Sequence, residues 1–455
     1  MNPPLLTLAD WHAAFESGAA DPVSLLESGL RRAREAGNRA VFIRLTETRA
    51  RPAADAAAAR LRAGKRLGAL DGIAVSWKDL FDQAGETTRA GSLTTAGNSP
   101  AAQDAAVVSL LESVGAVSIG RTNLTEFALS GLGLNPHFGT PANVWPAAEP
   151  LAPGGSSCGA AVSVAAGIVP YAVGTDTSGS VRIPAALNGL AGFKPTSARL
   201  PRIGVWTLSP TLDSIGPLAH TAADICTVMQ AFHIDSASCS DRHFKAVVPE
   251  GLFTEDAEPQ ILAAFEQSIA RLAQAGVNIT RKPLRALQRL ETLSDEYGTL
   301  VGIEAWQLHQ NAPLQTGIMD ERVAQRLQSN RIYPLHHLFE LLTWRTRLQK
   351  QLAEELQGAL LLLPTTAIDA PPLARLENDR EFFAEANRKI LRNTMAGSFL
   401  DMPGFTVPTG LNRNGLPAAL LVSAASGRDE YVLHAGKIFA GLLTGDAALN
   451  RRRFE

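Results

Sequence analysis

Apolar residues recur along this 455-residue chain at two periods, one helical and one strand-like. Near the N-terminus Leu25, Leu26 and Leu30 form a helical stripe behind Asp21 and Pro22, a capping residue and a first-position proline, and Gly37 ends the run. The alanine-rich stretch 49–64 reads as a second helix, with Arg60 and Arg62 near the end where a helix dipole favours positive charge. Residues 1–65 are therefore expected to be helical. Asp71 and Gly72 then make a turn, and Ile73-Ala-Val-Ser-Trp77 is a short apolar run of the kind that forms a buried strand.

From there the two periods alternate. Helices are expected at 104–114, 123–130, 157–168, 222–232, 259–275 and 429–442. Strands are expected at 116–120, 171–176, 245–248, 360–363, 404–407 and 418–422. Strands spaced by helices predict an α/β fold: a mixed, largely parallel β-sheet covered by helices on both faces. No internal repeat and no Pro- or Ser-rich linker divides the chain, so one domain over 1–455 is the expectation. Residues 284–357 differ, being almost wholly helical in pattern. They carry Trp306, Tyr333 and Trp344, either as a pocket wall or as contacts between helices.

Composition narrows the function classes. The chain is 45% hydrophobic and 19% charged with a net charge of −2, and no sustained basic run supplies a footprint for nucleic acid. Arg451, Arg452 and Arg453 read as a solvated tail. Three cysteines, Cys158, Cys226 and Cys239, cannot build a disulfide framework and fit a reducing cytoplasm. The N-terminus has neither a positive n-region nor a long apolar core, so no signal peptide is expected. The apolar stretch 160–173 is too short, and too interrupted, to span a bilayer.

The most unusual stretch is 152–192, where two Gly/Ser-rich loops flank a helix and a strand. Pro153-Gly-Gly-Ser-Ser-Cys-Gly159 opens the helix. Gly174-Thr-Asp-Thr-Ser-Gly-Ser180 follows the strand and precedes Val181-Arg-Ile-Pro184. A phosphate-binding loop would need a Lys after its glycines, and neither loop has one. A structural turn and a nucleophilic serine both remain open. For the second, the N–H groups of Ser178, Gly179 and Ser180 would surround an oxyanion at Ser180. The motif is not the G-x-S-x-G elbow, because Ser178 takes the first glycine's place.

A nucleophilic serine needs a base. None of the nine histidines has a telling context: His336 and His337 fall in a helical stretch, His137 and His220 in polar loops. Lysine is scarce, eight against 34 arginines, yet Lys78 directly follows the apolar strand 73–77. Burial there would lower its pKa and leave it able to accept a proton; pairing with Asp79 or Asp82 is the other reading. Cys158 stands at a helix N-terminus, either as an activated thiol or as a small apolar helix residue.

Taken in order, these blocks resemble the amidase signature family over most of the chain. Leu70-Asp-Gly-Ile-Ala-Val-Ser-Trp-Lys-Asp79 is similar to its lysine motif, and Ile119-Gly-Arg-Thr-Asn-Leu-Thr-Glu-Phe-Ala128 to the next block. Gly154-Gly-Ser-Ser157 and 174–184 resemble its Gly/Ser core. Gly192-Phe-Lys-Pro-Thr196, Pro408-Thr-Gly410 and Gly415-Leu-Pro417 resemble later blocks. The resemblance implies an amidohydrolase with a Ser–cis-Ser–Lys triad. Ser180 would be the nucleophile, Ser156 the bridging serine behind a cis Gly155–Ser156 peptide, and Lys78 the base. The oxyanion would form against the N–H groups of Thr177, Ser178, Gly179 and Ser180. Ser157 would be structural, and Asp176 and Arg182 would brace the loop. Ser178 replaces a more usual Gly, and Cys158-Gly-Ala160 a more usual Gly/Ser-Gly-Ser.

The implied substrate is a small-molecule amide, with no cofactor, metal, nucleic acid or membrane partner; a homodimer is one assembly the sequence leaves open. Fold-level analogy puts the leaving group near Leu129, Ser130, Gly131 and Trp206, and the acyl group near the helices after residue 284. Arg322, Arg326 and Arg331 are candidates for a substrate carboxylate, with surface pairing as the alternative. Other readings are the glutaminase subunit of a tRNA-dependent amidotransferase, a urea-type hydrolase of the allophanate kind, and a non-catalytic binding protein on the same fold. Against the glutaminase, Val181-Arg-Ile-Pro184 lacks the Gln it usually has before Pro.

Overall fold

The computed structural model describes residues 6–238, 243–310, 318–444 and 449–450; Cys239 and the Arg451–Arg453 tail lie outside the described residues. Eleven strands form one sheet: β1 (Phe42–Leu45), β2 (Ala74–Lys78), β3 (Val117–Thr122), β4 (Tyr171–Asp176), β5 (Ala191–Lys194), β6 (Ser214–Ala219), β7 (Lys245–Pro249), β8 (Asn278–Lys282), β9 (Leu360–Pro364), β10 (Gly404–Leu411) and β11 (Pro417–Ser423). Their order is β1-β3-β2-β4-β6-β5-β10-β11-β9-β7-β8.

The sheet is mixed, as expected, and its parallel pairs sit in two blocks. One is β3-β2-β4 and the other β9-β7-β8. Between them β4, β6, β5, β10, β11 and β9 run antiparallel in turn, and β1 closes one edge antiparallel to β3. The parallel blocks come from the strand–helix alternation that the pattern predicts, except for the edge strand β8, a polar segment that apolar periodicity did not mark. The antiparallel seam comes from β5 and β6, short strands interrupted by Gly192, Gly216 and Pro217, which apolar periodicity does not mark.

The N-terminal helix Pro22–Ala33 starts where the capping signal puts it. Asp21 accepts from the Ser24 N–H, and Leu25, Leu26 and Leu30 are buried, worth about 1.5–3 kcal/mol each. The first 65 residues hold two further helices, Leu8–Glu16 and Glu47–Arg62, and the edge strand β1, which the helical expectation for this region omitted.

The helix expected at 123–130 is absent. That stretch is a single 3-10 turn, Glu126–Ala128, with Phe127 and Ala128 at φ of 51° and 63°. Its amides are drawn to distant partners: Thr125 N–H donates to Ser156 O and Phe127 N–H to Ala90 O. Residues 285–356 are helical where described, in Arg285–Tyr297, Leu300–His309, Glu321–Ser329 and His336–Leu356. Trp306, Tyr333 and Trp344 pack between these helices, and the Arg289 guanidinium lies 4.4 Å over the Trp344 ring. A long helix that the pattern did not predict, Arg380–Phe399, is capped by Asp379 and packs beside the Gly/Ser loops.

Candidate active site

Lys78 is the last residue of β2, and Thr175 and Asp176 end the neighbouring parallel strand β4. The register pairs Trp77 with Val173, so Lys78 lies beside the end of β4. Carboxyl ends of adjacent parallel strands are where α/β sheets place ligands. The Lys78 side chain is fully buried, and its Nζ donates to Ser156 Oγ at 2.7 Å and to Thr175 Oγ1 at 2.8 Å. Burial pushes its pKa down to about 7, an effect that the nearby Asp213 and Asp176 only partly offset. The other reading of Lys78 does not hold: Asp79 pairs with Arg121, and Asp82 accepts from Thr88.

Ser156 and Ser157 are fully buried, and the Gly155–Ser156 peptide is cis. Gly155 N–H donates to Gly131 O at 2.7 Å, and Ser157 N–H donates to Ser180 O at 3.2 Å, which ties the two Gly/Ser loops together. Gly174 has no side chain because β4 runs against Ser157, where a Cβ would lie 2.6 Å from Oγ. Cys158 is buried at the start of the helix Cys158–Ala165, and burial pushes its thiol up to about 12. It is a packed helix residue and no thiolate.

Ser180 lines a small cleft of about 270 Å³, counting its mouth, together with Leu129, Ser130, Thr177, Ser178 and Arg326. Asp176 organises the loop under it. Its carboxylate accepts from Gly179 N–H at 2.7 Å and from Arg182 Nε and Nη2, each at 2.9 Å. Burial alone would raise the Asp176 pKa; the Arg182 guanidinium overrides it and holds the group below its ordinary value. Among the described residues the amides of Thr177, Ser178 and Ser180 have no protein acceptor, whereas that of Gly179 is already spent on Asp176. Three of the four expected oxyanion donors are thus open, and the fourth is a loop brace.

Gly179 has φ of 132°, and a Cβ there would lie 2.1 Å from Thr394 Oγ1, the hydroxyl that donates to Ser178 O. Gly179→Ala should therefore cost about 1–3 kcal/mol in backbone strain and loosen the loop. Thermal unfolding should show a midpoint lowered by several degrees together with reduced turnover; an unchanged midpoint would refute the close approach.

Of the residues placed by analogy, Leu129 and Ser130 line the cleft. Gly131 instead braces it, through Gly155 N–H and through its own N–H, which donates to Asn387 Oδ1 at 2.9 Å. Trp206 stacks on Phe127 at 5.9 Å behind the cleft, to which its own segment contributes Leu208. Arg322 is paired with Asp320 and Arg331 is exposed. Arg326 lines the cleft with no acidic partner among the described residues, and burial alone lowers its pKa.

Thr175 and Asp213 escaped the sequence reading. Thr175 lies inside the Gly174–Ser180 motif and could have been weighed there. Asp213, which accepts from Thr177 Oγ1 at 2.6 Å, has no local signal. His137 Nε2 lies 3.3 Å from Glu126, while His336 and His337 pack against each other. No cluster of metal-ligating side chains occurs among the described residues, and no helix there is long and apolar enough to cross a membrane.

Comparison with known proteins shows the family. The family model described as Amidase matches residues 24–433. The chain is 34% identical to 2-amino-5-chloromuconic acid deaminase of Comamonas testosteroni, over 82% of each protein. It is 37% identical to a glutamyl-tRNA(Gln) amidotransferase subunit from Chloroflexus aggregans, over 61% of this chain and 60% of that protein. A solved structure described as a crystal structure of amidase superposes with a TM-score of 0.85 at 30% identity, covering 96% of this chain and 100% of that one.

Proposed function

The chain belongs to the amidase family and is a hydrolase of amide C–N bonds; from that premise we propose that it works through an acyl-Ser180 intermediate, on a small substrate that carries a carboxylate near the scissile bond. The observation that carries the mechanism is the buried contact of Lys78 Nζ with Ser156 Oγ at 2.7 Å, one loop contact away from Ser180. Neutral Lys78 accepts the Ser156 proton while Ser156 takes that of Ser180, whose Oγ bonds to the substrate carbonyl carbon. The oxyanion is held by the open amides of Thr177, Ser178 and Ser180. Ser156 then passes its proton to the nitrogen and recovers one from Lys78; the C–N bond breaks and ammonia or an amine leaves. Water, deprotonated through the same relay, attacks the acyl-Ser180 ester and releases the acid.

Arg326 supports the substrate class. An arginine stays charged even when buried, and a guanidinium in a cleft without a counter-ion favours an anionic ligand. The deaminase relative acts on an acid by its name. The whole chain, including residues 1–65 and 284–357, is read as one amidase domain acting in the cytoplasm without a cofactor. Leu129, Ser130, Gly131 and Trp206 form or back the leaving-group side.

The test is a panel of amides matched in size, with and without a carboxylate, assayed on wild type and Arg326→Leu. The preference of wild type for the carboxylated amide should fall about 10- to 100-fold in the variant, the worth of a charge-assisted hydrogen bond. An unchanged preference would remove Arg326 from recognition. The match to the amidotransferase protein favours a second reading, glutaminase action within a complex. Turnover of simple amides by the chain alone supports the amidase; glutamine hydrolysis only with added partner proteins supports the other.

A further inference from the structure

Next to the Ser180 cleft, and sharing Val301 with it, lies a larger cavity of about 1030 Å³ counting its mouth. It is far more space than the amide group undergoing hydrolysis needs. Its walls are mostly apolar, with Leu293, Leu300, Met395 and Phe399 among them. The helix Arg380–Phe399 borders both spaces: Leu391 lines the Ser180 cleft, and the next residue, Arg392, lines the larger cavity.

Arg392 is only 8% exposed. Its Nη1 is ion-paired with Asp256 at 2.7 Å and its Nε donates to Asn393 Oδ1 at 3.2 Å, but its Nη2 is buried with no acceptor among the described residues. A buried donor left empty is costly, and nearly all such groups in folded proteins find a partner. Arg388, one turn earlier and also lining the cavity, adds a second positive charge. Two carboxylates line the same cavity, Glu291 and Asp295; Asp295 is exposed, and Glu291 is half-buried with its pKa raised by burial against the pull of Arg392. The group that lacks a partner is thus a donor, one that an acceptor such as a carboxylate would satisfy.

We propose that this cavity is a second substrate compartment, which receives an extended apolar acyl chain past Val301 and binds a carboxylate at the chain's far end through Arg392. The inference rests on the acyl-Ser180 reading above and extends its substrate: besides the carboxylate near the scissile bond, the acyl part ends in a second, distal one.

The experiment compares three primary amides of equal chain length, ending in carboxylate, methyl or ammonium: adipamate, hexanamide and 6-aminohexanamide. Wild type should prefer adipamate over hexanamide by about tenfold or more in kcat/KM, and Arg392→Leu should bring that ratio close to one. A ratio that survives in Arg392→Leu, or a wild-type preference for 6-aminohexanamide, overturns the proposal. Should Arg392→Leu fail to fold, the shorter, polar and uncharged Arg392→Gln is read the same way.

Calorimetric binding of adipate to Ser180→Ala, with and without Arg392→Gln, tests the compartment without any turnover. Binding that is weakened about tenfold or more by Arg392→Gln supports it; no binding, or binding indifferent to Arg392, refutes it. If Ser180→Ala keeps full activity while binding depends on Arg392, the acyl-Ser180 reading fails and the compartment stands.

Discussion

Ser180→Ala should reduce amide turnover by roughly 10⁴- to 10⁶-fold, the loss typical when a covalent nucleophile is removed. The fold should survive, since Ser180 contributes its main-chain carbonyl to Ser157 N–H and alanine keeps that bond. A wild-type sample quenched during turnover, or treated with an electrophilic amide analogue, should carry the acyl mass on the peptide containing Ser180. The variant should carry none. Full activity in Ser180→Ala, or labelling at another serine, would transfer the nucleophile's role elsewhere. Ser156 is the neighbour against which this matters, because its hydroxyl is fully buried and already engaged by Lys78.

Lys78→Met should lower turnover by at least about 10³-fold, because without a base neither serine can lose its proton. Its pH signature is more specific. A lysine with a folded-state pKa of about 7 is neutral above that pH, so kcat/KM of the wild type should rise with pH through a midpoint near 7 and then level off. The variant's residual rate should lack that limb. Stability follows the same linkage. Between about pH 7 and 10.5 the unfolded chain holds the Lys78 proton and the folded chain does not, so the wild type gains stability as pH rises through that window. Below it the buried charge works against folding throughout. Lys78→Met removes this dependence, and its melting temperature should not fall below that of the wild type near pH 6. Retained activity with a flat pH profile in the variant would dismiss Lys78 as the base. A collapse of the fold instead would mean that the lysine serves structure.

These two residues show where the chain itself was informative. Lys78 stands out because lysine is rare in this sequence and this one follows an apolar strand; a charge in that place is expensive unless it has work to do. The Gly/Ser loops stand out because β4 and the helix Cys158–Ala165 are both strongly apolar, which leaves the polar segments between them conspicuous. Arg326 was visible as one of three candidate arginines. Nothing in the sequence separated it from Arg322, whose carboxylate partner Asp320 is only two residues away.

Local signals therefore determined most of the strand–helix alternation and the capped helix Pro22–Ala33, because each depends on neighbours within a turn or two of chain; the family and the proposed triad were legible only through the resemblance of the ordered blocks. Tertiary structure alone decided what depends on contacts across long separations. The stretch around Glu126 became a turn because its amides found Ala90 and Ser156. Gly179 N–H was taken from the oxyanion site by Asp176. Helix Arg380–Phe399, which no pattern predicted, brought Thr394 against Ser178 and Arg392 into the neighbouring cavity. A hydrogen bond between residues some 200 positions apart leaves no period in the sequence, and it is such bonds that shape the cleft.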